Sequence, residues 1–225
     1  MVNMILVAIA PTAALLIFIY QKDRYDREPP YLLFKVFLFG ILSVIPVYYI
    51  EKFLSGIAYH PGPFYTAFAV AGFTEETAKL LIVRASAYDS KYYNEKLDGI
   101  VYSVFASLGF ATAENFLYVF TSRAAYLYTG IIRALFSVPA HMLFAITMGY
   151  YLSLSKYSSG YAIRKIFMFE ALLIPLILHG TYDYILFSKT YSFLPVFLIF
   201  VIYLWKVNLN RLNAYVRESR NNSRR

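Results

Sequence analysis

The sequence predicts an all-α fold, a polytopic bundle of about seven transmembrane helices. Three observations predict it. The chain of 225 residues is 60% hydrophobic and 15% charged, with mean hydropathy +0.54. A soluble domain is about 45–50% apolar and about 25% charged. Its apolar residues gather into runs of spanning length, roughly 17–25 residues each. Its lysines and arginines alternate between rich and poor loops, as they do across a membrane.

The runs in order are 4–20, 31–50, 64–87, 97–120, 126–153, 164–187 and 191–207. The first has no basic start and a long apolar stretch, so it reads as a span rather than a signal peptide. The second follows the basic loop 21–30. The third interrupts its apolar stretch with Glu75, Glu76 and Lys79. The fourth opens on Asp98, which favours a helix N-terminus electrostatically. The fifth and sixth carry Pro139 and Pro175 inside otherwise apolar stretches. The seventh leads into a basic tail, so residues 1–207 read as one membrane domain and 208–225 as a cytoplasmic tail. The last residues, Asn221–Arg225, read as disordered.

Loop charges set the orientation. Alternate segments carry 15 Lys/Arg on one side and three on the other: Lys52, Arg123 and Lys189. The richer side is cytoplasmic, which places the N-terminus outside and the C-terminus inside. An even number of spans would break this alternation. The net charge of +8 lies mostly in the tail. It therefore reads as a flank for anionic lipid, with no nucleic-acid partner implied. The absence of cysteine excludes disulfides, thiol catalysis and thiolate metal sites.

Against this background the ionisable residues inside spans stand out, since each costs roughly 2.5–3.5 kcal/mol at a helix centre. Glu75, Glu76 and Lys79 share one arc of the third span. Gly72 lies on the same face and admits another backbone. Glu114 and Asn115 lie in the fourth span, His141 in the fifth, and His179 and Asp183 at i and i+4 in the sixth. A structural ion pair, or a satisfied core histidine, is the plain alternative for each taken singly. Measured from the outer end at 1.5 Å per residue, Glu75 lies ~16 Å deep, His141 ~22 Å, His179 ~12 Å and Glu114 ~9 Å. Four helices thus bring polar groups to one layer, as a buried cavity opening outward would require. Ser103 and Ser107 read as interhelical hydrogen-bonding residues, His60 as a loop residue, and Arg133 and Glu170 as span-end residues that pair or snorkel.

Carboxylates with imidazoles suit zinc. His141, His179 and one glutamate, Glu76 in the reading preferred here, would make a three-ligand site with an open position, leaving the other, Glu75, as general base; the two glutamates can exchange these roles. Without metal, a glutamate activates water and a histidine stabilises the oxyanion. Two adjacent carboxylates also separate acid and base forms. Neither Gly-x-Ser-x-Gly nor His-Glu-x-x-His is present. A proton- or cation-coupled transporter is the rival from another class, but no inverted repeat supports it.

Glu75-Glu-Thr-Ala-Lys79 resembles the Glu-Glu-x-x-Lys motif of the PrsW family of intramembrane proteases. Asp98-Gly-Ile-Val-Tyr102 with Gly109-Phe-Ala-Thr-Ala-Glu-Asn115 resembles its second block, Pro139-Ala-His-Met-Leu-Phe144 its third, and His179-Gly-Thr-Tyr-Asp183 its fourth. Asp26-Arg-Glu-Pro-Pro30 is similar to the Asp-x-x-Glu-Pro signature. The ordered set covers most of the chain. The resemblance implies a multi-pass plasma-membrane metalloprotease that cuts a single-pass anti-sigma factor on its extracytoplasmic side in stress signalling. It implies that Glu75, Glu76 and His179 carry catalysis, with His141 and Asp183 supporting. Distant relatives, the CAAX prenyl proteases among them, have been argued to be metal-free glutamate proteases, so both mechanisms stay open.

Overall fold

The computed structural model describes residues 1–188 and 190–224. Lys189 and Arg225, two of the cations used in the loop count, lie outside the described residues. The described residues form seven helical rods and no strand. These are α1 (Val2–Lys22), α2 (Pro30–Ile57), α3 (residues 63–88), α4 (Lys96–Thr121), α5 (Tyr126–Tyr157), α6 (Tyr161–Phe187) and α7 (Leu194–Asn222). Five of them, α1, α2, α4, α5 and α7, are long and apolar enough to cross a membrane. The other two carry the acidic pair and the His179–Asp183 pair. The protein is a membrane protein. Its periphery exposes Leu6, Ile17, Phe34, Ile45, Ile199 and Ile202, an apolar surface that water would not tolerate at this extent.

Local sequence explains the helix boundaries. Pro30 starts α2 at the position where its missing N–H is not needed. Glu95 and Asp98 form a capping box at the start of α4, so Asp98 caps backbone N–H groups as well as favouring the helix dipole. Two rods depart from regular α geometry beside the polar layer. Thr66–Gly72 of α3 and Arg133–Ser137 of α5 are π-helical. A π turn holds an extra residue, so it rotates the face presented by the next helical segment. Those segments are Phe73–Val83 with the acidic pair, and Val138–Tyr157 with His141.

Helices α4 and α5 form the centre. Helix α4 packs on α1, α2 and α5, while α5 also meets α6 and α7. The α4–α5 crossing depends on Gly99 and Gly149. A Cβ on either would run into the other's backbone, so small residues let the two rods touch, as is common in membrane bundles.

Helix α7 does not stop at residue 207. It continues through the basic segment to Asn222, burying Leu204, Asn208, Leu212, Tyr215 and Ser219. Spacings of three and four residues place these on one stripe. The Thr147 hydroxyl donates to Asn208 Oδ1 at 2.7 Å, and Lys96 pairs with Glu218 at 2.8 Å. The segment expected as a separate tail, with a disordered end, is thus a packed helix as far as Asn222. Its apolar stripe was masked in the sequence by the arginines on the other faces.

Candidate active site

The acidic pair sits in the first turns of Phe73–Val83. Glu76 and Lys79 are almost fully buried, at 0% and 1% exposed, and Glu75 is 6% exposed. Burial of that depth requires pairing, and one helical turn supplies it. The Lys79 ammonium donates to Glu76 Oε1 at 2.7 Å and to Glu75 Oε2 at 3.0 Å. It also lies 3.2 Å from His141 Nδ1 and 4.7 Å from the centre of the Phe110 ring. An ammonium has only donors, so His141 Nδ1 accepts and its Nε2–H donates to Glu114 Oε2 at 2.9 Å.

Helix α6 supplies the opposite wall. Gly72 faces this helix, and a Cβ there would stand 3.3 Å from Leu176 O and 3.4 Å from Gly180 N. That close approach brings His179 Nδ1 within 2.9 Å of Glu76 Oε1. Its Nε2 lies 3.4 Å from Asp183 Oδ2. The Phe144 ring stacks on the imidazole at 5.1 Å and fixes its plane.

Helices α4 and α5 close the site. The Arg133 guanidinium donates to Glu114 Oε2 at 2.9 Å and to Asn115 Oδ1 at 2.8 Å. The Asn115 amide donates to Ala8 O of α1 at 2.7 Å. The Ser107 hydroxyl donates to His141 O at 3.0 Å, the interhelical role read from the sequence. Ser103 is buried without a partner.

All eight residues singled out in the sequence meet here: Glu75, Glu76, Lys79, Glu114, Asn115, His141, His179 and Asp183. Two others join them. Arg133, expected near a span end to pair or snorkel, is buried and pairs with Glu114. Glu51, expected in a loop, belongs to α2 and accepts a hydrogen bond from Thr74 at 3.2 Å. A surplus of buried acids over Lys79 is the signal that would have called for a second cation such as Arg133. Nothing in the sequence marked Glu51.

A cavity of about 470 Å³ opens beside these groups, lined by Glu51, Glu75, Glu114, Arg133, His141, His179 and Asp183 among others. Glu76 is absent from that lining. The two glutamates are therefore distinct: Glu75 borders the open space, and Glu76 is enclosed between Lys79 and His179.

Glu75, Glu76 and His179 can each bring one ligand atom within 4.8 Å of the others. Glu76 Oε2 is buried and has no hydrogen-bond partner. Glu75, Glu76, Glu114 and Asp183 face two permanent cations, Lys79 and Arg133. Mixed carboxylate and imidazole donors, an unpartnered oxygen and an excess of negative charge fit a zinc ion. His141 is not in this group, and the Lys79 ammonium stands between its Nδ1 and the acidic pair.

Residues 28–207 match the family described as PrsW family intramembrane metalloprotease. The chain is 42% identical over 222 residues to the Protease PrsW of Clostridioides difficile (strain 630), covering 97% of this chain and 93% of the relative. It is 36% identical over 203 residues to the Protease PrsW of Bacillus subtilis (strain 168), covering 90% and 91%. Identity to the Protease PrsW of Geobacillus kaustophilus (strain HTA426) is 38% over 189 residues, covering 84% and 82%. No solved structure matches the chain significantly. With the family matched over most of its length and full-length relatives well above 30% identity, the chain belongs to the PrsW family of intramembrane proteases.

Proposed function

We propose that the protein is an endopeptidase that cuts a single-pass membrane protein within the outer half of the plasma membrane. Glu75 is the water-activating base. The observation that carries this assignment is that Glu75 borders the cavity while Glu76 does not. Glu75 Oε2 is held by Lys79, which leaves its other oxygen to take a proton from water and return it to the leaving amine. Glu76 and His179 would hold zinc, within reach of Glu75. When bound, zinc supplies Lewis acidity toward water and the scissile carbonyl.

The remaining residues position these groups. Lys79 balances the acidic pair and fixes the His141 tautomer. Asp183 orients His179. Arg133 and Glu114 hold His141 from the other side. An apolar groove adjoins the cavity and shares Ser137, Tyr182 and Leu186 with it; Phe136 and Phe197 also line it. This supports a substrate that arrives as an apolar segment from the bilayer. By family resemblance that substrate is an anti-sigma factor, cut as the first step of a stress response.

A metal-free glutamate mechanism is the second reading. It is favoured by one observation: the Lys79 ammonium already lies between the two carboxylates. The test is to incubate the purified protein with a single-pass substrate, with and without a zinc chelator. Cleavage that stops with chelator and returns with zinc supports the metal reading. Chelator-insensitive cleavage transfers the chemistry to Glu75 and the histidines alone. Cleavage by a Glu75→Gln protein at the wild-type rate overturns both.

The orientation proposed with this reading is seven spans, with the N-terminus outside and the C-terminus cytoplasmic. It is supported by the 15-to-three division of Lys/Arg between alternate loops.

A further inference from the structure

A second buried acidic cluster lies at the other end of α4. Sixteen residues separate Asp98 from Glu114, or ~24 Å along the helix, so the cluster is remote from the cavity. Asp23, in the turn after α1, and Asp98 are both 0% exposed, and Glu28 is 3% exposed. Glu95 completes the group. The candidate ligand atoms of Asp23, Glu95 and Asp98 lie within 4.8 Å of one another.

One half of each aspartate is accounted for. Asp23 Oδ2 accepts the Glu28 N–H at 3.0 Å, and Asp98 Oδ2 accepts the N–H groups of Asn94 and Glu95 at 2.7 Å. Tyr102 donates to Glu28 Oε2. Asp23 Oδ1 is buried with no hydrogen-bond partner, while Asp98 faces the Glu28 carboxyl and Glu95 faces Ser219, neither of which brings positive charge. Such groups are costly unless something satisfies them.

No side chain supplies the missing charge. Among the described residues, no lysine or arginine forms an ion pair with Asp23, Glu28, Glu95 or Asp98. The nearby cations are engaged elsewhere. Lys96 pairs with Glu218, Lys22 donates to Asn213, and Arg24 and Arg27 lie over Tyr25 and Tyr20. In a chain of net charge +8 this is a specific omission.

We propose that Asp23, Glu95 and Asp98 bind a hard divalent cation that ties the turn after α1 to the start of α4. All three donors are carboxylate oxygens, with no imidazole or thiolate, which suits magnesium, calcium or manganese rather than zinc. Exposed Asp26, held by Asn94 at 3.2 Å, stands beside the cluster on its aqueous side.

The test uses Mn2+ as the probe, with electron paramagnetic resonance to count bound ions. The full-length protein carries Glu75→Gln and Glu76→Gln, which removes two of the three donors at the first site. The expected result is one Mn2+ per chain, displaced by Mg2+ or Ca2+. Glu95→Gln or Asp98→Asn added to that protein weakens binding at least tenfold. Both substitutions keep a side-chain oxygen for capping, and helical circular dichroism verifies the fold. No Mn2+ bound by the protein with the cluster intact overturns the proposal. Binding that neither added substitution changes overturns it too. Neither result bears on the protease reading, which concerns the opposite end of α4.

Discussion

The Lys79 ammonium lies 3.2 Å from His141 Nδ1, across 62 residues of sequence, while holding both glutamates of its own helix. One buried cation thereby links the acidic pair of α3 to the imidazole of α5. Replacing it with methionine keeps the length and strands two buried carboxylates. Breaking a buried pair in this way costs about 3–5 kcal/mol. Lys79→Met is expected to lose cleavage and to lower the melting temperature of purified protein. Adding Glu76→Gln to Lys79→Met should recover much of the stability and none of the activity. A Lys79→Met protein as stable as wild type would show that the ammonium does not hold the pair.

Glu75 and Glu76 should separate kinetically. Glu75→Gln removes the proton acceptor at the cavity wall but keeps an oxygen toward Lys79. We expect kcat to fall about 10²–10⁴-fold, the usual worth of a general base, with KM little changed. Glu76→Gln leaves the cavity wall intact and disturbs the contact with His179. Its loss should be accompanied by weaker zinc retention, measured by elemental analysis after dialysis. Equal zinc content in both variants would argue against Glu76 as a ligand.

Arg133 should act through Glu114 and His141. Arg133→Ala removes a charge partner 2.9 Å from Glu114 and a donor to Asn115. The substitution leaves an uncompensated, largely buried carboxylate. We expect a loss of stability and a fall in kcat, with Arg133→Lys recovering part of the charge but losing the two-partner geometry. A thermal melt paired with a cleavage assay reads both effects. Unchanged kcat in Arg133→Ala would confine the residue to a structural role.

Much of this was legible in the sequence because a membrane makes charge conspicuous. Glu75, Glu76, Lys79, His141 and His179 stand out in apolar runs, and helical periodicity placed the first three on one arc. Depth arithmetic then put residues from four helices near one layer, and the structure joins them within hydrogen-bonding distances. The residues that stayed hidden did so for physical causes. The π turn at Arg133–Ser137 rotates the following segment, with His141, without any mark in hydropathy. Helix α2 runs past the apolar segment, so Glu51 reads as a loop residue. The stripe in α7 is only one face of a basic helix. Asp23 and Asp98 lie 75 residues apart in the sequence, and only the packing of α1 on α4 brings them together.

Topology offers a test that the sequence makes clean, since the chain has no cysteine. A cysteine placed at Ser55, in exposed α2 near its end, should react with an impermeant maleimide added to whole cells. One placed at Ser158, between α5 and α6, should react only after permeabilisation. The reverse pattern would invert the proposed orientation and move the cavity to the cytoplasmic side.

Gly72 tests whether close approach sets the site. Its missing Cβ would stand 3.0 Å from Ala67 O and 3.3 Å from Leu176 O. Ala67 O belongs to α3 itself, but Leu176 O and Gly180 N are backbone atoms of α6 that cannot swing aside, so Gly72→Ala must shift α3 against α6 by a few tenths of an ångström. That shift acts directly on the 2.9 Å contact between Glu76 and His179. Alanine also favours the helix by up to ~1 kcal/mol over glycine, so global stability should change little. Catalysis is more sensitive, because a displacement of about 1 Å at reacting groups can cost about 10²-fold. We therefore expect Gly72→Ala to retain a near-wild-type melting temperature while kcat falls about tenfold. Gly72→Leu should lose both. An alanine variant with full activity would mean that the α3–α6 distance is not what aligns Glu76 with His179.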